Sequence, residues 1–179
     1  MTSVHDYKEV TDKLGIYPSE LGCVMLDFEP ITDDIIPAEW EYYSPKQELW
    51  WVKGVVSDRA HLTLKYGLLQ KAYELEAEIN ALVGDLSLPK AMVVGAMELR
   101  QPNDPYSAIV LKIDENPELI EFNRRLSYLP HIDTFTPWVP HVTMAYVHTE
   151  HASATIELVN SAFYGRILIP RALNLGKDK

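Results

Sequence analysis

The chain contains 179 residues, of which 47% are hydrophobic and 23% charged, and this composition predicts one folded domain over residues 1–179 rather than a disordered chain. The formal net charge of −10 argues against long nucleic acid as a partner, because proteins that bind its phosphates carry a basic surface. A single cysteine, Cys23, excludes a disulfide within the chain, which fits a reducing compartment. No apolar run reaches the roughly 18–20 residues of a membrane span. We therefore expect a cytoplasmic protein without a membrane partner.

Apolar periodicity and turn signals divide the chain into strands and helices. In chain order the sequence predicts strands over 21–28, 49–56 and 61–66, a helix over 69–83, strands over 91–99 and 106–113, a helix over 117–128, a strand over 141–146, a helix near 153–163 and a last strand over 166–169. Cys23 falls inside the first strand, where we expect a buried core thiol. Residues from Asn174 onward are polar and predict a frayed tail.

The segment over residues 31–47 has no clear period and is rich in proline, aspartate and aromatic residues. It is long for a loop inside a compact domain, so it is either functional or partly helical. Trp40, Tyr42 and Tyr43 in this segment form either a lid or base pocket or ordinary packing. Tyr43 is a candidate substrate-binding residue.

Two six-residue segments that begin eighty positions apart share one pattern. Both read His-x-Thr-apolar-x-Tyr, in His61-Leu62-Thr63-Leu64-Lys65-Tyr66 and in His141-Val142-Thr143-Met144-Ala145-Tyr146. In a strand, alternation puts each histidine and its threonine on one face, roughly 6.6–7 Å apart, and the apolar residues between them on the core face. The same alternation predicts that Tyr66 and Tyr146 point into the core.

The predicted elements after the two motifs also repeat. A helix and then a strand follow each motif strand, which indicates an internal duplication. We therefore predict two related α+β lobes, each presenting one motif strand to a shared cleft.

Two imidazoles facing each other across a cleft permit general acid–base catalysis. With unperturbed pKa values of about 6.5, one ring takes a proton from a nucleophile while the other, protonated, gives one to a leaving group. Two threonine hydroxyls can donate hydrogen bonds to an oxyanion between the rings, which suits a phosphodiester. We expect His61, Thr63, His141 and Thr143 to be catalytic. Neither motif supplies a metal-ligand set, so we expect neither a metal nor a cofactor.

The two motifs and their flanking strands carry a family resemblance. From Gly22 to Val147 the chain resembles the two-histidine (2H) phosphoesterase superfamily, which includes 2′-5′ RNA ligase-like and cyclic phosphodiesterase proteins. Within it the chain is similar to phage anti-CBASS nucleases, in the motifs and in Gly22-Cys-Val-Met-Leu-Asp, Ile109-Val-Leu-Lys-Ile-Asp and Leu126-Ser-Tyr-Leu-Pro.

The resemblance implies a bilobal, pseudo-symmetric α+β fold with two antiparallel sheets and flanking helices around a central cleft. It implies a metal-independent phosphodiesterase that cleaves cyclic di- and trinucleotide signals of the bacterial antiviral defence CBASS, so its partner is a small cyclic oligonucleotide. Two alternatives stay open, an RNA 2′,3′-cyclic or 2′-5′ phosphodiesterase and a protein that sequesters nucleotides without cleaving them. The aromatic segment 49–51 departs from ligase-like members and makes RNA-end repair less favoured. Oligomeric state stays open.

Other residues near the motifs have two interpretations each. Lys65 shares a face with His61 by alternation and either holds a phosphate or is an ordinary solvated lysine. Trp138, three residues before His141, either stacks on a nucleobase or anchors its loop on the domain. We assign His131 no role.

Overall fold

A computed structural model describes residues 20–42, 60–100, 103–133 and 137–177. The elements of these residues, in chain order, are β1 (Gly22–Phe28), β2 (His61–Leu68), α1 (Glu76–Val83), β3 (Ala91–Leu99), β4 (Tyr106–Ile113), α2 (Pro117–Leu126), β5 (His141–His148), α3 (Ala152–Phe163), β6 (Ile167–Leu168) and β7 (Pro170–Asn174). Short 3₁₀ turns cover Ala38–Trp40, Ala72–Leu75 and Thr149–His151. The strand predicted over 49–56 lies outside the described residues.

The described strands form one antiparallel sheet in the order β6-β3-β4-β5-β2-β1-β7. The predicted α+β class is confirmed, but the prediction of two sheets is wrong. The two motif strands are direct neighbours, paired at Leu62 and Val142, so both motifs belong to a single sheet. A division into two lobes stays a prediction.

The order of strand, helix and strand after each motif is confirmed. After β2 the chain continues into α1 and β3, and after β5 it continues into α3 and β6. Helix α2 contacts both α1 and β2, whereas α3 contacts β3, β4 and β5. Each motif strand is therefore supported by a helix, which holds the strand in place beneath the site.

The core lies beneath the two motifs, as the alternation predicts. Leu62, Leu64, Val142 and Met144 have no solvent-exposed surface. They belong to one cluster that includes Phe122 of α2 and other buried side chains of the helices. Burying a large apolar side chain contributes about 1.5–3 kcal/mol, so this layer fixes the backbone on which the motif histidines stand.

Helix α2 begins as its sequence predicts. Asn116 is the N-cap, its side chain accepts a 2.9 Å hydrogen bond from the backbone N–H of Leu119, and Pro117 is the first helical residue. Among the described residues, no helix is long and apolar enough to cross a membrane.

The C-terminal strand β7 was not predicted. Pro170–Asn174 pairs antiparallel with β1 at the edge of the sheet, and Asn174 is held there rather than frayed. A proline at the first position of an edge strand removes no necessary ladder bond, so the proline signal does not exclude a strand here. This strand places Asn174 close to the site.

Candidate active site

The antiparallel pairing of β2 and β5 brings the two motifs together. Leu62 and Val142 are register partners, and continuing this register by one residue in each direction sets His61 opposite Thr143 and Thr63 opposite His141. Facing side chains in such a pair lie about 4.5–5.5 Å apart at Cβ, and diagonal ones about 7–8 Å. The two histidines are diagonal neighbours, and their charges interact.

His141 is held in the neutral form. Burial lowers its pKa below the ordinary value of 6.5, and a positive charge on His61 lowers it further, while the hydrogen bond to Val139 opposes both effects. Nδ1 of His141 lies 2.8 Å from the carbonyl oxygen of Val139. A neutral ring donates this bond from Nδ1–H, which leaves Nε2 with a free lone pair.

The strands that flank the motif strands give the two halves opposite charges. On β1, Asp27 is the register partner of His61, and on β4, Lys112 is the register partner of His141. Asn174 Nδ2 lies 3.1 Å from one carboxylate oxygen of Asp27 and 3.4 Å from the other. Neither Asp27 nor Lys112 can be predicted from the sequence, because only the register between distant strands reveals them.

Both motifs contain a β-bulge at the same position. Met25 pairs with Thr63 and Val24 with Lys65, which makes Leu64 an extra residue on β2. The same irregularity occurs on β5, where Val110 pairs with Thr143 and Ile109 with Ala145, so that Met144 is extra. An extra residue disrupts the strict alternation of the strand.

The bulges overturn the prediction for the two motif tyrosines. Tyr66 and Tyr146 are half-buried and line the same cavity as Thr63 and His141, rather than packing in the core. Burial raises the pKa of the Tyr146 phenol, so it is a neutral hydroxyl near neutral pH.

The cavity has a volume of about 760 Å³ and lies between the motif strands, β4, α2 and the loop before β5. It is lined, among others, by Thr63, Lys65, Tyr66, Tyr106, Asn123, His131, Asp133, Trp138, His141 and Tyr146. Two of the four predicted catalytic residues, Thr63 and His141, line the cavity, and His61 is close enough to His141 for their charges to interact. Thr143 joins them through the β2–β5 register.

Two side chains replace strand pairing where β2 and β5 separate. Trp138 Nε1 donates to the carbonyl of Thr63 at 3.0 Å, and Asn123 Nδ2 donates to the carbonyl of Leu64 at 2.6 Å. Strand carbonyls without a partner would be costly at such a buried place, so these bonds stabilise the opening. Trp138 therefore anchors its loop on β2, as one interpretation of this residue predicts. It also lines the cavity, which is the position that stacking on a nucleobase requires.

Lys65 also lines the cavity, but it is not a solvated lysine. Only 9% of its surface is exposed, and Nζ lies 3.6 Å from Oδ1 of Asp133. A buried lysine at the cavity is what we expect if Lys65 holds a phosphate of the substrate, and a binding or activity measurement tests that role.

Trp40 and Tyr42 of the segment over residues 31–47 pack against other aromatic rings. Tyr42 stacks on Tyr106 with ring centroids 4.9 Å apart, and Trp40 stacks on His151 at 5.0 Å. Tyr43 lies outside the described residues.

Cys23 is half-buried and is the register partner of Tyr66, so the prediction of a core thiol is wrong. Cys23 alternates regularly with Met25 and Asp27 on β1, and the bulge on β2 brings Tyr66 to that same face.

Within 20–42, 60–100, 103–133 and 137–177, no group of three His, Cys, Asp or Glu side chains could hold a metal ion. The metal-free, cofactor-free chemistry stays a prediction.

The fold has counterparts among solved structures. No family model matches the chain, and no curated protein matches it significantly. Usb1 of Kluyveromyces marxianus is similar with a TM-score of 0.54 and 9% identity, over 88% of this chain and 95% of that one. Its structure with uridine monophosphate is similar with a TM-score of 0.50 and 10% identity, over 84% and 87%. The likeness confirms the α+β class of the fold.

Proposed function

We propose that the chain is a metal-independent phosphodiesterase. The observation that carries this proposal is the pairing of two matching strands, which sets His61 diagonally beside His141 at a cavity that His141 and Thr63 line. Two neighbouring imidazoles can move two protons in one reaction, each transfer being worth about 10²–10⁴ in rate.

The environments of the two imidazoles support different roles. His141 is kept neutral and has its Nε2 free, so it is the general base. His61, whose register partner on β1 is Asp27, is then the proton donor. In an RNA-type diester, His141 takes the proton of the 2′-hydroxyl, the bond from O2′ to phosphorus forms, the bond from phosphorus to O5′ breaks, and His61 protonates O5′. The products are a 2′,3′-cyclic phosphate and a 5′-hydroxyl.

The threonines complete the site. Thr63 and Thr143 stand opposite the histidines in the β2–β5 register, where their hydroxyls can donate to the non-bridging oxygens of the phosphate. Such donors stabilise the charge that develops on these oxygens in the transition state.

The substrate we propose is a cyclic di- or trinucleotide cut at a 3′-5′ bond, so that the enzyme counteracts CBASS signalling. A cavity of about 760 Å³ and a net charge of −10 favour a small nucleotide over a long nucleic acid. Tyr66, Tyr106, Tyr146 and Trp138 supply aromatic surface for nucleobases, and base stacking contributes about 1–3 kcal/mol per base.

An RNA phosphodiesterase is the second candidate. The structure of Usb1 with uridine monophosphate supports it, because that protein has a similar fold and its structure contains a ribonucleotide. A nucleotide-sequestering protein is the non-catalytic candidate.

A panel of substrates in EDTA separates the three candidates. The chain is incubated with 3′,3′-cGAMP, a 2′-5′ oligoadenylate and a short RNA that ends in a 2′,3′-cyclic phosphate, and the products are separated by chromatography. We expect cGAMP to be cut fastest, with a His141→Ala preparation as the control for contaminating nucleases. Preference for either RNA substrate selects the second candidate, and binding without any product selects the third.

A further inference from the structure

A second cluster of ionisable side chains lines the same cavity as His141. Oδ1 of Asp133 is 3.6 Å from Nζ of Lys65 and 3.2 Å from Nε2 of His131. The Lys65 side chain is 10% exposed and that of His131 is 20% exposed, whereas that of Asp133 is 67% exposed. A buried ammonium and a half-buried imidazole nitrogen thus converge on one exposed carboxylate oxygen.

The backbone fixes this cluster to the end of β2. Gly67 accepts a 2.8 Å hydrogen bond from the N–H of Ile132, and Leu69 donates to Pro130 at 3.0 Å. Leu68 and His131 form an antiparallel bridge between these two bonds. The ring of His131 is fixed in turn, since Nδ1 lies 2.7 Å from the carbonyl oxygen of Leu129, which leaves Nε2 directed at Asp133.

We propose that Lys65 and His131 form a second phosphate subsite beside the scissile one. The Lys65 ammonium offers the charge and the donors that a phosphate oxygen needs, and Nε2 of His131 donates beside it whenever the ring carries its second proton, since Nδ1 faces the carbonyl of Leu129. The carboxylate of Asp133 holds both donors, and because it is exposed it can turn to solvent when a phosphate enters.

The position of the subsite agrees with a nucleotide chain. Lys65 lies two residues beyond Thr63 on β2, at most roughly 7 Å along the strand. Successive phosphates of a nucleotide backbone are separated by a distance of this order. This inference deepens the proposed function, because it selects substrates that carry at least two phosphates.

Binding of small nucleotides to the full chain tests the subsite without requiring turnover. Isothermal titration calorimetry compares adenosine 3′,5′-bisphosphate with 3′-AMP and 5′-AMP. One added charge-assisted contact predicts roughly tenfold tighter binding of the bisphosphate than of the better monophosphate. Lys65→Met should abolish this preference, whereas Lys90→Met, which removes the same charge from an exposed position outside the cavity lining, should retain it. Equal affinities in the wild type would overturn the proposal, as would a preference that survives in folded Lys65→Met.

A second variant covers the case in which replacing buried Lys65 prevents folding. Asp133→Asn removes the carboxylate that competes for both donors, at an exposed position that tolerates the change. It should increase the preference for the bisphosphate severalfold, and an unchanged preference contradicts the subsite. A chain that prefers the bisphosphate but cuts nothing in the EDTA panel would keep the subsite and lose the proposed function. A chain that cuts cGAMP but binds the bisphosphate no more tightly than a monophosphate would keep the proposed function and lose the subsite.

Discussion

At the scale of residues, two motifs that match in sequence occupy unequal environments. In the register of the sheet, Asp27 is the partner of His61 and Lys112 is the partner of His141, and the Nδ1 of His141 lies 2.8 Å from the carbonyl oxygen of Val139. The motif pattern predicts that both imidazoles are present at the site. It cannot predict how they differ, because Asp27 and Lys112 become neighbours only through the register of the sheet.

The neutral state of His141 sets the acidic limb of the pH profile. A general base must be unprotonated, so kcat/KM should fall as the pH drops through the pKa of His141 in the folded chain. Burial and the charge of His61 lower that pKa below 6.5, so activity should persist below pH 6.5. The measurement is kcat/KM for the best substrate of the panel between pH 4.5 and 9. An acidic limb centred at or above pH 6.5 would contradict the assignment of His141 as base.

At the scale of elements, the paired bulges explain what the local pattern could not predict. Alternation correctly predicts Leu62, Leu64, Val142 and Met144 as core residues, because they precede or lie within the bulge. One extra residue in each strand then moves the following tyrosine to the cavity, and nothing in the local pattern marks it. Strand β7 was missed for a similar reason, since it is short and pairs with a strand at the opposite end of the chain.

Near the end of β2, position 67 requires glycine. Gly67 has φ of +88°, in the left-handed region, while its carbonyl holds the segment that carries His131. Gly67→Ala should therefore reduce the free energy of unfolding by about 1–2 kcal/mol. The measurement is the midpoint and slope of urea unfolding.

Gly95 provides a matched control for that substitution. It lies in β3 without a positive φ, and an added Cβ would meet only the Asn160 side chain, at 3.9 Å. Gly95→Ala should leave stability within about 0.5 kcal/mol of the wild type. If both variants unfold at the same urea concentration, the conformational requirement at Gly67 is wrong.

At the scale of the whole molecule, one sheet places the duplicated halves side by side rather than as separate sheets. The resemblance correctly predicts the α+β fold, which the likeness to Usb1 confirms. The expected two sheets merge because β2 and β5 pair through Leu62 and Val142, an interaction between residues eighty positions apart. Because β2 and β5 pair only through Leu62 and Val142, the rest of the two strands is free to separate around the cavity. The pairing that joins the two motifs in one sheet therefore also forms the candidate site.

The most direct test of the central claim compares phosphodiester cleavage by the wild type, His61→Ala and His141→Ala. Single-turnover rates are measured in EDTA at pH 7 with the best substrate of the panel. Each substitution removes one proton transfer, so each rate should fall by about 10²–10⁴ while circular dichroism shows an unchanged fold. Cleavage by either variant at the wild-type rate would contradict the claim that the two imidazoles act together on one phosphodiester.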